Sequence, residues 1–270
     1  MFLTGADGAE LEFRAPSIKG ALRFWWRALH GHLSLSELKK REGEIFGDNN
    51  NRSKFTINVS ELDTRFIGSD APIPHKGYKI PCILPNAEFE VRLIIPVEIP
   101  QWNLEKCQAL FELFSIIGDV GKRARRGMGS FEIIKCNNPL WKKQEITIQY
   151  IHELIKKFSS FFDVRNNIIH SNYSGSMEYY PWIKRIEIGK HDDNLLMKIS
   201  KKTHEFKNKN IYTYEASIGH ANKGRFASPI YISAIKGSLK PIITTLNTIP
   251  DRSSRDIDLR LQEDFRNSIL

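Results

Sequence analysis

The segment Gly118-Asp119-Val120-Gly121-Lys122-Arg123-Ala124-Arg125-Arg126-Gly127-Met128-Gly129-Ser130-Phe131 places four cations within residues 122–126 and brackets them with glycines. Glycine accepts positive φ and lets backbone approach a phosphate closely, so Gly121, Gly127 and Gly129 suit an amide nest for an anion. Lys122, Arg123, Arg125 and Arg126 would neutralise its charge. The segment is not a mononucleotide P-loop, because Gly121-Lys122 is followed by Arg123 and Ile116 stands where the first glycine belongs. The surrounding order, helix then loop then strand, is also the reverse of a P-loop or dinucleotide fold. Four clustered cations exceed what one nucleotide needs and suit an RNA backbone. The plainer reading is a mobile basic turn.

A second basic feature lies in residues 14–33. With Lys19 set at zero and about 100° per residue, Arg23 falls at about 40°, Arg27 at about 80° and His30 at about 20°. Ile18, Leu22, Trp25, Leu29 and Leu33 occupy the neighbouring arc, with Trp26 on the seam. Cations one turn apart can follow phosphates, and an indole at the edge can stack on a base. The alternative is a solvated basic face with Trp26 in the core. No acidic residue occurs between Arg14 and Leu35, whereas a solubilising face mixes signs, which favours RNA.

Cleavage chemistry is weaker. Metal-free cleavage at a 2′-hydroxyl needs a general acid and base plus cations. His30 and His32 are the best-placed histidines, yet an i, i+2 spacing on a helix points them about 200° apart. His75, His152, His170, His191, His204 and His220 are scattered without visible partners. Metal-ion cleavage would want clustered carboxylates, and Asp192-Asp193, Asp256 and Asp258 read more simply as helix N-terminal residues. Cys82, Cys107 and Cys136 have no metal-ligand spacing, so no metal site and no cofactor is expected.

The elements that must hold these features can be read from pattern. Pro16-Ser17 starts a helix running to about Leu33, and a second helix follows from Ser36 to Gly47. Phe55, Ile57 and Val59 alternate as a strand, and Phe89 to Val97 alternate as a longer one. Residues 63–86 hold Pro72, Pro74, Pro81 and Pro85 and read as an irregular excursion. Asn103 caps a helix that Gly118 ends, and a strand follows at Phe131–Lys135. Counting Met1–Thr4 as the tail of a strand, the order is that of a split βαβ or ferredoxin-like domain. After Asn137-Asn138-Pro139, a helix carries Ile151, Leu154, Ile155, Phe158, Phe161 and Phe162. A loop at 165–180, a strand at about 182–188, a helix at about 192–206, strands at about 229–236 and 239–247, and a helix from Ser254 complete the second half.

The 270 residues are 41% hydrophobic and 26% charged, which excludes a mostly disordered chain and allows two domains. The net charge of +9 calls for a polyanionic partner without choosing among RNA, DNA and a membrane surface. A membrane role is disfavoured, because the basic helix needs its apolar face for its own core and no run of about 18 apolar residues exists. The N-terminus has no signal core, and a reduced cytoplasmic protein is expected.

Gly118–Phe131, ending in Gly-x-Gly-x-aromatic, resembles the glycine-rich loop of the RAMP superfamily of CRISPR-associated proteins. Arg14-Ala15-Pro16-Ser17-Ile18-Lys19-Gly20-Ala21-Leu22-Arg23-Phe24-Trp25-Trp26-Arg27 is similar to the matching first-helix motif. Phe46-Gly47 and Arg225-Phe226-Ala227-Ser228-Pro229 also look like segments of one subunit of the type III-B, or Cmr, effector complex. The resemblance spans about residues 3–236. It implies an α+β chain of two ferredoxin-like, RRM-like domains, 1–138 and 139–270. It implies a non-catalytic subunit near the crRNA 3′ end, with crRNA, target RNA and other RAMP subunits as partners. Repeat-processing endoribonucleases of the same superfamily supply the alternative. The family pattern has a full first strand before a Leu-x-Gly-Ala-Asp turn, and here only Phe2-Leu3 precede it, so a truncated first strand is expected.

Overall fold

The structure, a computed structural model, describes residues 1–3, 11–61, 63–173, 180–209, 215–219, 226–247 and 257–270. The Leu3-x-Gly5-Ala6-Asp7 turn after Leu3, His220, Arg225, Ser254 and Asp256 lie outside the described residues.

In the first half, α1 (Ala15–Leu29) begins with Pro at the helix start, where the fixed φ is already helical and the missing N–H is not needed. It stops at Leu29, short of Leu33, because Gly31 brings the chain against Trp182: a Cβ there would lie 2.8 Å from the Trp182 Cβ. The short loop then feeds α2 (Leu35–Phe46), capped by Ser34 and ended by Gly47 at φ +85°. β1 (Thr56–Val59) pairs antiparallel with β4 (Val91–Ile94), Thr56 opposite Ile94. The Pro-rich excursion is more regular than its composition suggests. β2 (Ile67–Asp70) and β3 (Ile80–Ile83) form a separate antiparallel ladder, with Pro81 tolerated because the ladder has two strands and both are edges. The Met1 amino group donates to Ile83 O at 2.7 Å, tying the chain start to this hairpin. α3 (Leu104–Ile117) carries the Asn103 cap and ends at Gly118.

Phe131–Lys135, expected as a strand, runs without ladder partners. In a split βαβ pattern its partner is the first strand, and Phe2 makes only an isolated bridge, to Lys122. Among the described residues, the first half therefore holds two two-stranded ladders in place of one sheet.

After residues 137–147, which hold no helix or strand, comes α4 (Ile148–Lys156), capped by Thr147. The expected loop after it is a hairpin, β5 (Phe162–Arg165) with β6 (Ile168–Ser171). Asn166 and Asn167, at φ 51° and 59°, make its two-residue turn, and Asn takes that left-handed geometry more readily than other side chains. β7 (Ile183–Ile188), α5 (Leu195–Lys209), α6 (Glu215–Ile218), β8 (Ile230–Ala234), β9 (Pro241–Leu246) and α7 (Leu259–Asn267) follow. The sheet order is β5-β6-β7-β9-β8, antiparallel throughout. Asp258 caps α7, as its position suggested.

β9 is buried along its whole length because both faces are covered. Ile242 and Leu246 enter a core that also holds Leu22, Trp25, Leu110 and Ile151, whereas Ile243 enters a smaller one with Ile199, Ile230 and Phe265. The period-two alternation of one strand thus feeds two cores. The larger core joins both halves, since α3 packs on α4, β8 and β9. No described helix is long and apolar enough to cross a membrane.

Candidate nucleic-acid interface

The α1 cations turn toward α2. Lys19 lies over the Phe55 ring at 5.2 Å, and burial, with Arg23 nearby, lowers its pKa. Arg23 donates to Gly47 O at 2.6 Å, reaches Glu42 Oε1 at 3.2 Å and sits over Phe46. Arg27 grips Glu42 at two points, 2.5 and 2.6 Å. Glu42 is only 9% exposed. One carboxylate therefore offsets part of the charge of two arginines, and the planar guanidinium fork explains why arginine fills the two-point position.

Trp26 is 2% exposed and stacks on the His30 ring at 4.1 Å. Its ring is packed in the core and offers no open face to a base. His30 Nδ1 donates to Trp26 O at 2.6 Å, and burial pushes the imidazole down to about 4, so it is neutral near pH 7. Because α1 ends at Leu29, His30 and His32 sit in the following turn and the helical 200° argument does not apply to them. They still do not form an acid–base pair on solvent: His30 is buried and His32 stacks on Phe161.

The glycine loop is held from both ends. Gly121 has φ +85°, and a Cβ there would lie 2.5 Å from Phe2 O, which accepts from Lys122 N at 2.7 Å. Gly129 packs on the Val120 backbone so closely that any side chain would overlap it. The amides of Val120, Lys122 and Arg126 all donate to loop or N-terminal carbonyls, so these glycines first serve the chain's own path. Asp119 is enclosed at the loop base. Burial raises its carboxyl to about 8, opposed by hydrogen bonds from Ser130 and the Gly127 amide. Ser130 Oγ in turn accepts from Ala234 N at 3.0 Å, linking the loop to β8.

The four loop cations divide into two pairs. Lys122 and Arg123 are exposed, and among the described residues neither has a carboxylate partner. Arg123 holds φ +67°. Arg125 instead donates to Ser228 O and lies 4.4 Å over Tyr231. Arg126 is 8% exposed and donates to Arg125 O, Ile230 O and Ile218 O at 2.7, 2.9 and 3.3 Å. Burial, with Arg125 and Arg123 nearby, pushes its guanidinium down to about 9. Ser228 belongs to the 225–229 motif, so that motif's described part serves as a carbonyl anchor for the loop.

The loop meets α1 through Phe24, under Arg125 at 5.9 Å, and Trp25, whose Nε1 would lie 2.5 Å from a Cβ on Gly118. Lys19, Arg23 and Arg27 face Phe55, Phe46 and Glu42 instead. Sequence reasoning missed Glu42, whose only signal was that carboxylates reappear in α2 after an acid-free α1, and Tyr231, which had none. Asp192 accepts from Asn194 N at 2.9 Å at the start of α5, matching its expected helix-terminal role. Among the described residues, no three His, Cys, Asp or Glu side chains gather as a metal site.

Against this geometry, residues 3–132 match the RAMP superfamily. The chain is 26% identical over 275 aligned residues to the CRISPR system Cmr subunit Cmr1-1 of Pyrococcus furiosus, covering 85% of this chain and 78% of that protein. The CRISPR system Cmr subunit Cmr1-2 of the same organism is 35% identical over 68 residues, 24% of this chain and 36% of that one. The crystal structure of Cmr1 from Pyrococcus furiosus, apo form, is similar with a TM-score of 0.61 at 19% identity, over 95% of this chain and 88% of that chain. A chain of the cryo-EM structure of the type III-B Cmr-beta bound to cognate target RNA gives a TM-score of 0.56 at 12% identity, over 100% of this chain and 97% of that chain.

Proposed function

We propose, on the premise that residues 3–132 belong to the RAMP superfamily, that the chain is an RNA-binding subunit of a type III-B CRISPR effector complex. It sits near the crRNA 3′ end and helps capture target RNA, with crRNA, target RNA and other RAMP subunits as partners. The similarity to the Cmr subunit Cmr1-1 along most of both chains supports the assignment to that complex. The observation that carries RNA binding is the loop tip. Lys122 and Arg123 stand exposed with no carboxylate partner among the described residues, on a backbone braced by Gly121 and by Arg125 and Arg126. Cations on a braced loop meet a phosphate backbone with little ordering entropy left to lose. Lys19, Arg23 and Arg27 keep a net positive charge after Glu42 is counted and add to the positive field of the chain. Phosphate contacts position RNA without reading its sequence, as expected of a subunit that leaves recognition to guide pairing.

The role is binding, not cleavage, and a neutral, buried His30 supports that division. The test is co-expression with candidate partner subunits, affinity purification of this chain and sequencing of the bound RNA. A ladder of small RNAs sharing a repeat-derived tag is expected. Recovery of the chain free of both subunits and RNA would overturn the reading.

A further inference from the structure

A cavity of about 250 Å³ lies where the Pro-rich arm of the first half, the glycine loop and α5 meet. His75, Arg123, Arg126, Thr203, His204 and Lys207 line it, and no carboxylate does so among the described residues. Three observations suit this cavity to an anion. Arg126 is buried among carbonyls and the Phe265 ring, and among the described residues no carboxylate pairs with it, a costly arrangement in a protein interior. Thr203 is 7% exposed and, among the described residues, its hydroxyl has no hydrogen-bond partner; His75 Nε2 is likewise buried and unpartnered. Two buried polar atoms on one cavity wall, with no protein partner among the described residues, can both serve a ligand. The positive field is also visible in Lys207, which burial, together with Arg126 and Arg123, holds down to about 8.

The donor geometry is consistent. His75 Nδ1 lies 2.7 Å from Ser200 Oγ. With Ser200 donating to Nδ1, the neutral ring carries its hydrogen on the unpartnered Nε2. The cavity falls below the roughly 300–1,000 Å³ of sites for drug-sized molecules and suits one phosphate with part of a sugar. Its cations favour a charge nearer −2 than −1, which distinguishes a phosphomonoester from an internal phosphodiester.

We propose that this cavity binds a phosphomonoester, with Thr203 Oγ1 and His75 Nε2 donating to its oxygens and Arg123, Arg126 and Lys207 as counter-charge. The phosphate belongs to the end of an RNA strand or to a mononucleotide. Its attachment to RNA rests on the reading above, whereas the affinity for phosphate does not.

The full chain is titrated with inorganic phosphate, with a nucleoside monophosphate, and with one single-stranded RNA carrying 3′-phosphate, 5′-phosphate or hydroxyl ends. Phosphate-ended RNA is expected to bind on the order of 10-fold tighter than hydroxyl-ended RNA, the size of one charge-assisted hydrogen bond, and inorganic phosphate should compete the difference away. Thr203→Val and His75→Phe should erase that preference and leave hydroxyl-ended RNA within about 2-fold of wild type. Lys122→Ala should weaken all RNAs alike. In the wild-type protein the His75 ring signals should shift on adding phosphate, a readout that needs no variant to fold. Equal affinity for all ends together with unmoved His75 signals would overturn the proposal while leaving RNA binding intact. Phosphate binding that Thr203→Val abolishes, in a chain that binds no RNA, would uphold the cavity and sink the RNA reading.

Discussion

Arg27 and Glu42 are locked by two parallel hydrogen bonds of 2.5 and 2.6 Å that join α1 to α2, and Arg23 shares the same carboxylate. A row that looks free for phosphate is thus also a structural clamp. Glu42→Gln should lower unfolding free energy by about 1–3 kcal/mol, since two arginines lose their partner while staying partly solvated. Urea unfolding measures it. A change below about 0.5 kcal/mol, the usual range for an ordinary surface substitution, would show that the clamp is incidental.

Lys122 and Arg123 should behave as phosphate contacts. Replacing both with Ala should reduce the log–log salt slope for single-stranded RNA by about 1.4, at about 0.7 per contact, equally for unrelated sequences. Stability should change by less than about 0.5 kcal/mol. Arg125→Ala and Arg126→Ala should instead cost about 1–3 kcal/mol of stability by leaving carbonyls of β8 and its neighbours without donors. An unchanged slope in the folded double variant refutes the loop as an RNA contact.

Trp26→Ala should act on folding. The indole fills the core between His30 and Phe46, so its loss should cost about 3–5 kcal/mol and lower the melting temperature seen by circular dichroism. A variant that melts like wild type but binds RNA more weakly would mean that the ring leaves the core to stack on a base.

Asp119 should impose a pH dependence. Its carboxyl is raised from 3.8 to about 8 by burial. Between these values the folded protein keeps a proton that the unfolded chain has released, so the group lowers stability as pH rises from about 4 to about 8 and adds no slope beyond. The slope is at most about 1.4 kcal/mol per pH unit. Asp119→Asn removes it, so the stability of the variant relative to wild type should grow from pH 5 to pH 8. Urea titrations at both values check this, and parallel curves would contradict it.

Much of the fold was legible because its signals are local. The Asn103 cap, the Gly118 and Gly47 ends and the β-branched, apolar runs in 182–188 and 239–247 each act within a few residues, and the elements lie where those signals put them. Asn166-Asn167 is a turn pair readable in the sequence, inside a segment expected as loop, and β5 and β6 pair across it. The absent ladder at Phe131–Lys135 had no such cue, since pairing depends on a partner strand elsewhere in the chain.

By itself the sequence determined that the chain is α+β, that its cations gather in α1 and in the glycine loop, and that the loop's glycines permit positive φ, which Gly121 and Gly127 then take. Composition, periodicity and glycine's lack of a Cβ suffice for that. Only the tertiary structure decided what each cation does. Arg126 is committed to Ile230 O, 104 residues away, and His75 to Ser200, 125 residues away, while Lys122 and Arg123 meet solvent. A charge is the same in every sequence position; whether it clamps, anchors or waits for a phosphate depends on which carbonyl, carboxylate or solvent the folded chain brings within about 3 Å of it.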